Sequence, residues 1–295
     1  MKDLRGKNAI VTGASRGLGV YIAKALAERG VNLALVARSA DKLEDTRRIC
    51  EASGVRVITI AADVTSVEDQ HRLVATAERE FGSTDILINN AGIEIVCAFN
   101  DLKPGQIEDI IRTNLISAIR LTKLVLPSML SRKSGAIVQV ASMAGKSPIP
   151  YNTIYATTKA GLVNFAGSLH SELDGTGVVS SVVCPGFVAD AGMWADHAAM
   201  GATLPRTLGT VSPQKVAAGV IKAIAGHPEV IVASGPMRPL LALGDLMPGL
   251  RFTVIRRLGV GKVFKVEADR VAAAMKGDAP RTAAESERAE ATSDR

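Results

Sequence analysis

Between residue 8 and about residue 232, short runs of β-branched and apolar residues alternate with longer stretches of helical periodicity. The strand-like runs fall at 8–13, 32–37, 55–60, 85–88, 136–140, 178–184 and 230–232. The helical patterns lie near 17–29, 40–53, 66–81, 105–131, 153–174 and 212–226. Strands that are apolar throughout, rather than at alternate positions, are buried on both faces, and the helices between them supply the cover. The pattern predicts one α/β domain on a doubly wound, seven-stranded parallel sheet with helices on both faces and right-handed crossovers. We place this domain at 1–234. An insertion at 186–211, holding Met193, Trp194 and His197, follows the sixth strand and is expected to form a lid. Past residue 234 the alternation stops. Residues 235–276 form a basic and apolar extension, and 277–295, without apolar periodicity, is expected to be a disordered tail.

Composition narrows the function classes. With 295 residues, 47% of them hydrophobic and 22% charged, the chain is long enough to bury a large core. Cys50, Cys97 and Cys184 stand alone, without CxxC pairs or metal-ligand spacing. That argues against a disulfide scaffold or a metal site and for a reducing compartment. Aromatic residues, at 3%, are poor material for stacking on nucleic-acid bases, so no nucleic-acid partner is expected. No apolar run approaches a membrane span and the N-terminus lacks a signal-peptide core, which predicts a cytoplasmic protein. The net charge of +6 is local: six basic residues and one acid between Arg238 and Lys265 give that segment +5. Leucines and other apolar residues lie among them. Segment 238–266 reads either as an extension packed on the lid or a neighbouring subunit, or as an element touching an anionic membrane.

The first strand runs into Thr12-Gly13-Ala14-Ser15-Arg16-Gly17-Leu18-Gly19, which opens the first helix. Glycines at 13, 17 and 19 allow a tight turn and close backbone approach to a pyrophosphate, and a helix N-terminus offers free N–H groups to it. The same cluster read more plainly is only a tight turn. Strand two ends Val36-Ala37-Arg38-Ser39, with no acid placed for a ribose 2′-hydroxyl. Arg38 and Arg16 instead suit the 2′-phosphate of NADP, unless both are simply solvated surface arginines. Asp41 reads as a helix-cap residue.

Tyr155 and Lys159, four residues apart in a helical segment, share one helix face. The ammonium favours the phenolate and is expected to lower the Tyr155 pKa from its reference of about 10. Ser142 directly follows the fifth strand, and Asn89-Asn90-Ala91-Gly92 follows the fourth, both at the carboxyl edge where open α/β sheets bind ligands. Thr12 to Gly19, Asp63-Val64, Asn89 to Gly92, Asn114, Ser142, Tyr155/Lys159 and Pro185-Gly186, in this order over residues 5–232, resemble a classical short-chain dehydrogenase/reductase.

The resemblance implies a single Rossmann-type domain and a set of roles. Tyr155 would be general acid in reduction and base in oxidation, and Ser142 would hold the substrate oxygen. Lys159 would bind the nicotinamide ribose, and Asn114 would hold a water linking Lys159 to solvent. Asp63 would meet the adenine, Val64 its ring, and Asn90 the ribose beside the phosphates. Gly13, Ser15, Arg16, Gly17, Leu18, Gly19, Arg38, Ala91, Gly92, Pro185, Gly186 and Val188 complete the expected cofactor contacts. One position departs from the pattern. Where the family carries a threonine against the nicotinamide carboxamide, this chain has Asp190. An ionised carboxylate accepts but cannot donate, so an altered lid contact is expected, or else Asp190 faces solvent and its neighbours take over.

The substrate pocket is expected to draw on Ile93, Val96, Phe99, Met143, Ala144, Phe187, Met193 and Trp194, all apolar, which favours an apolar ketone or alcohol. Cys97 and Cys184 read as packing residues. His71, His170, His197 and His227 show no ligand spacing, and only His197, in the lid, is placed to touch substrate. The sequence thus predicts an NADPH-dependent carbonyl reductase or alcohol dehydrogenase acting on a 3-oxoacyl or other lipid-like substrate, and a homodimer or homotetramer. The alternatives are an NADPH-binding regulator, or a peripheral membrane protein with little turnover.

Overall fold

In the computed structural model, residues 1, 3–199, 203–205, 208–235, 248–257 and 259–275 are described. Seven parallel strands, β1 (Asn8–Thr12), β2 (Asn32–Ala37), β3 (Val57–Ala61), β4 (Ile86–Asn89), β5 (Gly135–Val140), β6 (Val178–Pro185) and β7 (Glu229–Val232), form one sheet. Their order is β3-β2-β1-β4-β5-β6-β7. The chain winds outward from β1 to β3, then crosses back to place β4 on the other side of β1. Between β1 and β4 the connections leave in opposite directions, which opens a crevice at the carboxyl edge.

Side chains alternate across each strand, so neighbouring residues serve different cores. Ala9, Val11, Leu33, Leu35, Ile86 and Ile88 pack under α1 (Leu18–Ala27), α2 (Ala40–Glu51) and α8 (Pro213–Ile224). Ile10, Ala34, Val36, Leu87 and Ile137 face the opposite way, against α3 (Val67–Phe81), α5 (Ser117–Ser131) and α6 (Thr153–Glu172). Helix ends follow local chemistry. The Ser66 hydroxyl accepts the Asp69 N–H at 3.1 Å to start α3, and Gly82, at φ 82°, ends it. Asp41 lies in the first turn of α2, behind Ser39 at the cap position, where its charge suits the helix N-terminus.

The helical pattern at 105–131 is not one helix. It divides into α4 (Pro104–Ile111), a π-helical turn at Arg112–Ile116, and α5. A π turn takes up an extra residue while the chain stays helical on either side. Asn114 sits in this turn and grips the backbone of Ile93. Its Oδ1 accepts the Ile93 N–H at 2.8 Å and its Nδ2 donates to the Ile93 carbonyl at 2.9 Å.

The lid contains α7 (Met193–Ala199), and the extension contains α9 (Pro248–Arg257) and α10 (Val260–Met275). Val260, Phe264 and Ala268 of α10 join Val96 and Leu208 in a separate hydrophobic cluster above the carboxyl edge, with Ile149, Tyr151, Leu204 and Phe187 against it. The extension thus packs on the lid. No helix among the described residues is long and apolar enough to cross a membrane. Residues 236–247 and the expected tail at 277–295 lie outside the described residues.

Leu35 is fully buried in the first core. We expect Leu35→Ala to lower unfolding free energy by about 2–5 kcal/mol in urea titration, with an unchanged m-value. Arg48→Ala, on the exposed face of α2, should stay within about 0.5 kcal/mol of the parent.

Candidate active site

Thr12 and Asn90 sew the ends of β1 and β4 together. The Thr12 hydroxyl donates to the Ile88 carbonyl (3.2 Å) and accepts the N–H groups of Asn90 (3.0 Å) and Ala91 (3.1 Å). Asn90 Nδ2 donates in turn to the carbonyls of Thr12 (3.0 Å) and Gly13 (3.1 Å). The Asn90 amide therefore braces the glycine loop, a use that the expected ribose contact did not anticipate. Gly13 adopts φ 65°, and a Cβ at Gly19 would lie 2.1 Å from the Gly13 oxygen. Only glycine fits there. Helix α1 begins after Gly17 with no side chain capping its first N–H groups, so the helix end is left to an incoming anion.

A cavity of about 730 Å³ runs along this edge. Of the expected cofactor residues, Gly13, Ser15, Arg16, Gly17, Leu18, Arg38, Asp63, Val64, Asn90, Ala91, Gly92, Pro185, Gly186 and Val188 line it, with Tyr155 and Lys159. Gly19 supports the loop from behind and does not line the cavity. Asn114 is also buried behind the wall, its side chain spent on Ile93 and Thr158. Ser39, Lys42 and Thr65 join the lining without having been singled out in the sequence. Lys42 carried a readable signal, since it lies on the helix that follows Arg38.

Ser142, Tyr155 and Lys159 come together on the cavity wall, with Ser142 hydrogen-bonded to the Tyr155 phenol. Ser142 is held where β5 gives way to a 3₁₀ turn at Met143–Gly145, its hydroxyl accepting the Ala144 N–H at 3.1 Å. Lys159 Nζ donates to the Val140 carbonyl at 2.8 Å and lies 5.5 Å from the Tyr155 ring centroid. The expected lowering of the Tyr155 pKa is not what this arrangement gives. Burial pushes the phenol up and the Glu94 carboxylate adds to it, with a hydrogen bond to Ser142 only partly offsetting them. Burial likewise pushes Lys159 down, to about 8, against the pull of Glu94. Burial therefore favours the neutral phenol.

Beyond Tyr155 the cavity is lined by Ile93, Met143, Ala144, Phe187, Met193 and Trp194, as expected, by Ile149, Leu208, Val260 and Phe264, and by the polar Glu94, Ser147, Asn152 and His197, the last as its place in the lid suggested. Val96 and Phe99 depart from expectation. Val96 is buried in the cluster under α10, and Phe99 starts a short 3₁₀ turn that carries it outward to 59% exposure. Asp190 is exposed, at φ 58°, and does not line the cavity, whereas its neighbours Val188, Ala191 and Gly192 do. The altered carboxamide contact is therefore set aside in favour of the solvent-facing alternative.

His197 is the largest surprise. Its Nδ1 lies 2.6 Å from Glu267 Oε1 on α10, and its Nε2 lies 3.2 Å from Glu94 Oε2 after β4. Glu94 also accepts from Asn152 Nδ2. Burial is the largest single influence on the imidazole and opposes its charge. The hydrogen bonds and charges of Glu94 and Glu267 together outweigh it and push the pKa up to about 9. Partners 103 and 70 residues away leave no spacing in the sequence to find them by. Nearby, Arg16 pairs with Asp196 of the lid at 2.8 Å, an exposed contact that water and salt weaken.

Residues 7–200 match the short chain dehydrogenase family model. The chain is 42% identical over 266 residues to the ketoacyl reductase HetN of Nostoc sp., covering 88% of this chain and 92% of that one. A crystal structure described as a short-chain alcohol dehydrogenase from Sinorhizobium meliloti matches with a TM-score of 0.71 and 31% identity. That match covers 79% of this chain and 96% of the other. A metagenomic short-chain oxidoreductase in complex with NADP gives a TM-score of 0.66 at 28% identity, covering 78% and 97%.

The His197 shift carries a sign. A base whose pKa rises on folding stabilises the fold fully below its unfolded value of 6.5, and loses that contribution as pH climbs through about 9. The span between the two values corresponds to about 3 kcal/mol. Histidine NMR should find His197 still protonated at pH 8, and the stability gap between the parent and His197→Gln should narrow from pH 6.5 to pH 9.5. An imidazole titrating near 6.5 would contradict the buried pairing.

Proposed function

The chain belongs to the short-chain dehydrogenase family, and from that premise we propose that it is an NADPH-dependent reductase of an apolar ketone, with the reverse alcohol oxidation open to it. The observation that carries this reading is the meeting of Ser142, Tyr155 and Lys159 on one cavity with a glycine loop packed so tightly that a Cβ at Gly19 would strike the Gly13 carbonyl. The cradle fits a nicotinamide dinucleotide. Backbone N–H groups at the start of α1 suit a pyrophosphate, and Asp63 and Val64 wall the adenine end. When bound, the nicotinamide supplies the hydride.

The protein does the rest. Ser142 donates a hydrogen bond to the substrate oxygen and holds it against Tyr155. Tyr155, kept protonated by burial, gives its phenolic proton to that oxygen as negative charge builds there. Lys159, anchored on Val140, holds the nicotinamide ribose and stabilises the phenolate left behind. Arg38, Arg16 and Lys42 face the adenosine end with no acid at the close of β2, which supports the 2′-phosphate of NADP. The largely apolar lining beyond Tyr155, from Ile93, Met143, Ile149, Phe187, Trp194, Val260 and Phe264, supports a 3-oxoacyl or similarly lipid-like ketone, in keeping with the name of the ketoacyl reductase relative.

The test is NADPH and NADH oxidation against a panel of acyl-thioester, steroid, aromatic and aliphatic ketones. Tyr155→Phe should lose roughly 10²-fold or more in kcat with cofactor binding retained. Arg38→Ala should raise KM for NADPH by roughly ten- to a hundredfold and leave NADH little changed, the size of a lost charge-assisted hydrogen bond. Better turnover with NADH in the parent would refute the cofactor assignment.

A further inference from the structure

Glu94, His197 and Glu267 join three parts of the chain that share no strand: the loop after β4, the lid helix α7, and the C-terminal helix α10. Asn152, which precedes α6 and Tyr155, holds the near end of the chain through Glu94. The cluster is secluded, with side-chain exposures of 9% for Glu94, 13% for His197 and 10% for Glu267. A buried ion pair is a poor route to stability, because apolar residues of the same volume usually serve as well. It is a good route to a defined geometry, since its groups are satisfied in one arrangement only.

What that geometry closes is visible in the apolar residues beside it. Val260 and Phe264, on the same helix as Glu267, line the cavity. Phe264 stands 6.3 Å from Phe187, and Phe187 meets Trp194 edge-on at 4.9 Å. Trp194 in turn lies 6.4 Å from the His197 ring. The roof over the reacting end is thus a continuous contact from α10 through the lid to the ionic cluster. Val260, Phe264, Phe187 and Trp194 offer no cation to an anionic substrate, and where His197 and Glu94 reach the cavity wall, two carboxylates around one imidazolium leave the cluster net negative.

We propose that the Glu94–His197–Glu267 chain is a latch that holds lid and α10 together over the cavity, making Val260 and Phe264 specificity-determining residues for an uncharged, apolar substrate. The three latch residues are positioning residues: they act through the roof. The reading rests on the ketone reductase assignment above for the substrate, but the latch can be tested without turnover.

Trp194 is the only tryptophan in the chain, so intrinsic fluorescence reports on the roof alone. In the full-length protein, Glu267→Gln removes one charge and leaves His197 paired with Glu94. His197→Gln leaves two carboxylates facing each other without a cation. Acrylamide quenching of Trp194 should therefore rise in both, by roughly twofold or more in His197→Gln and by less in Glu267→Gln, as the roof opens locally. Asp269→Asn, which breaks only an exposed pair with Lys265 on α10, should leave quenching unchanged. With apolar ketones, the latch variants should raise KM by roughly tenfold with kcat little altered, the mark of lost binding rather than lost chemistry. Phe264→Ala should shift the ratio of kcat/KM towards bulky aromatic ketones over small aliphatic ones.

Cooperative melting is checked first. If His197→Gln does not fold, Glu267→Gln carries the test, since its amide oxygen still accepts from Nδ1. Unchanged quenching in a folded Glu267→Gln or His197→Gln overturns the latch. An unchanged substrate ratio in Phe264→Ala overturns the assignment of specificity to α10. If the parent reduces no ketone, the reductase reading fails, and the quenching result still decides the latch by itself.

Discussion

Everything in this molecule follows from a sheet that has no wet face. The central strands are almost wholly apolar on both sides, because helices cover both, and the backbone polar groups are satisfied between strands. The buried Ser180 and Ser181 of β6 donate their hydroxyls to the Ala166 and Ala223 carbonyls. Side chains that must meet a ligand are left to the strand ends. The connections diverge between β1 and β4, and there Thr12 and Asn90 take over from the sheet by hydrogen-bonding the two strand ends to each other. The glycine loop, Ser142 and Gly92 all stand at the same edge for the same reason. Tyr155 and Lys159 reach it from α6, whose first turns lie beside the end of β5.

At that edge, burial works against every charge, and the outcome at each group depends on its partners. Tyr155 has a neutral partner in Ser142 and a carboxylate nearby, so it stays protonated. Lys159 leans on a backbone carbonyl and is drawn towards neutrality. His197 alone is driven to carry charge, because two carboxylates grip its two nitrogens. Neighbouring side chains thus hold opposite tendencies in one cavity, each set by the partners it meets there.

How much of this could be read in the sequence depends on how local its cause is. The strands, the glycine loop and the Tyr155/Lys159 spacing are written in consecutive residues, and their positions were foreseen. The π turn at Arg112–Ile116 is hard to read in the sequence because no Pro or Gly interrupts it and the chain is helical on both sides of it. Phe99 and Val96 leave the cavity because a short 3₁₀ turn redirects the loop after β4, and no residue there announces it. Asp190 was placed on the lid by pattern alone, and the left-handed backbone turns it outward. The pairing of His197 with Glu267 was out of reach. It depends on where an entire helix comes to rest, and the residues involved are individually ordinary.

The cluster of Val96, Leu208, Val260, Phe264 and Ala268 stands apart from the two cores that hold the sheet. A substitution there is felt by its neighbours and not by the strands, since distant sites in separate clusters act nearly independently. The chain has therefore split its inheritance. Residues that perform the reaction are bound to the stability of the fold and change at its expense, while residues over the cavity can drift, and descendants of this protein can acquire new diets without relearning the chemistry.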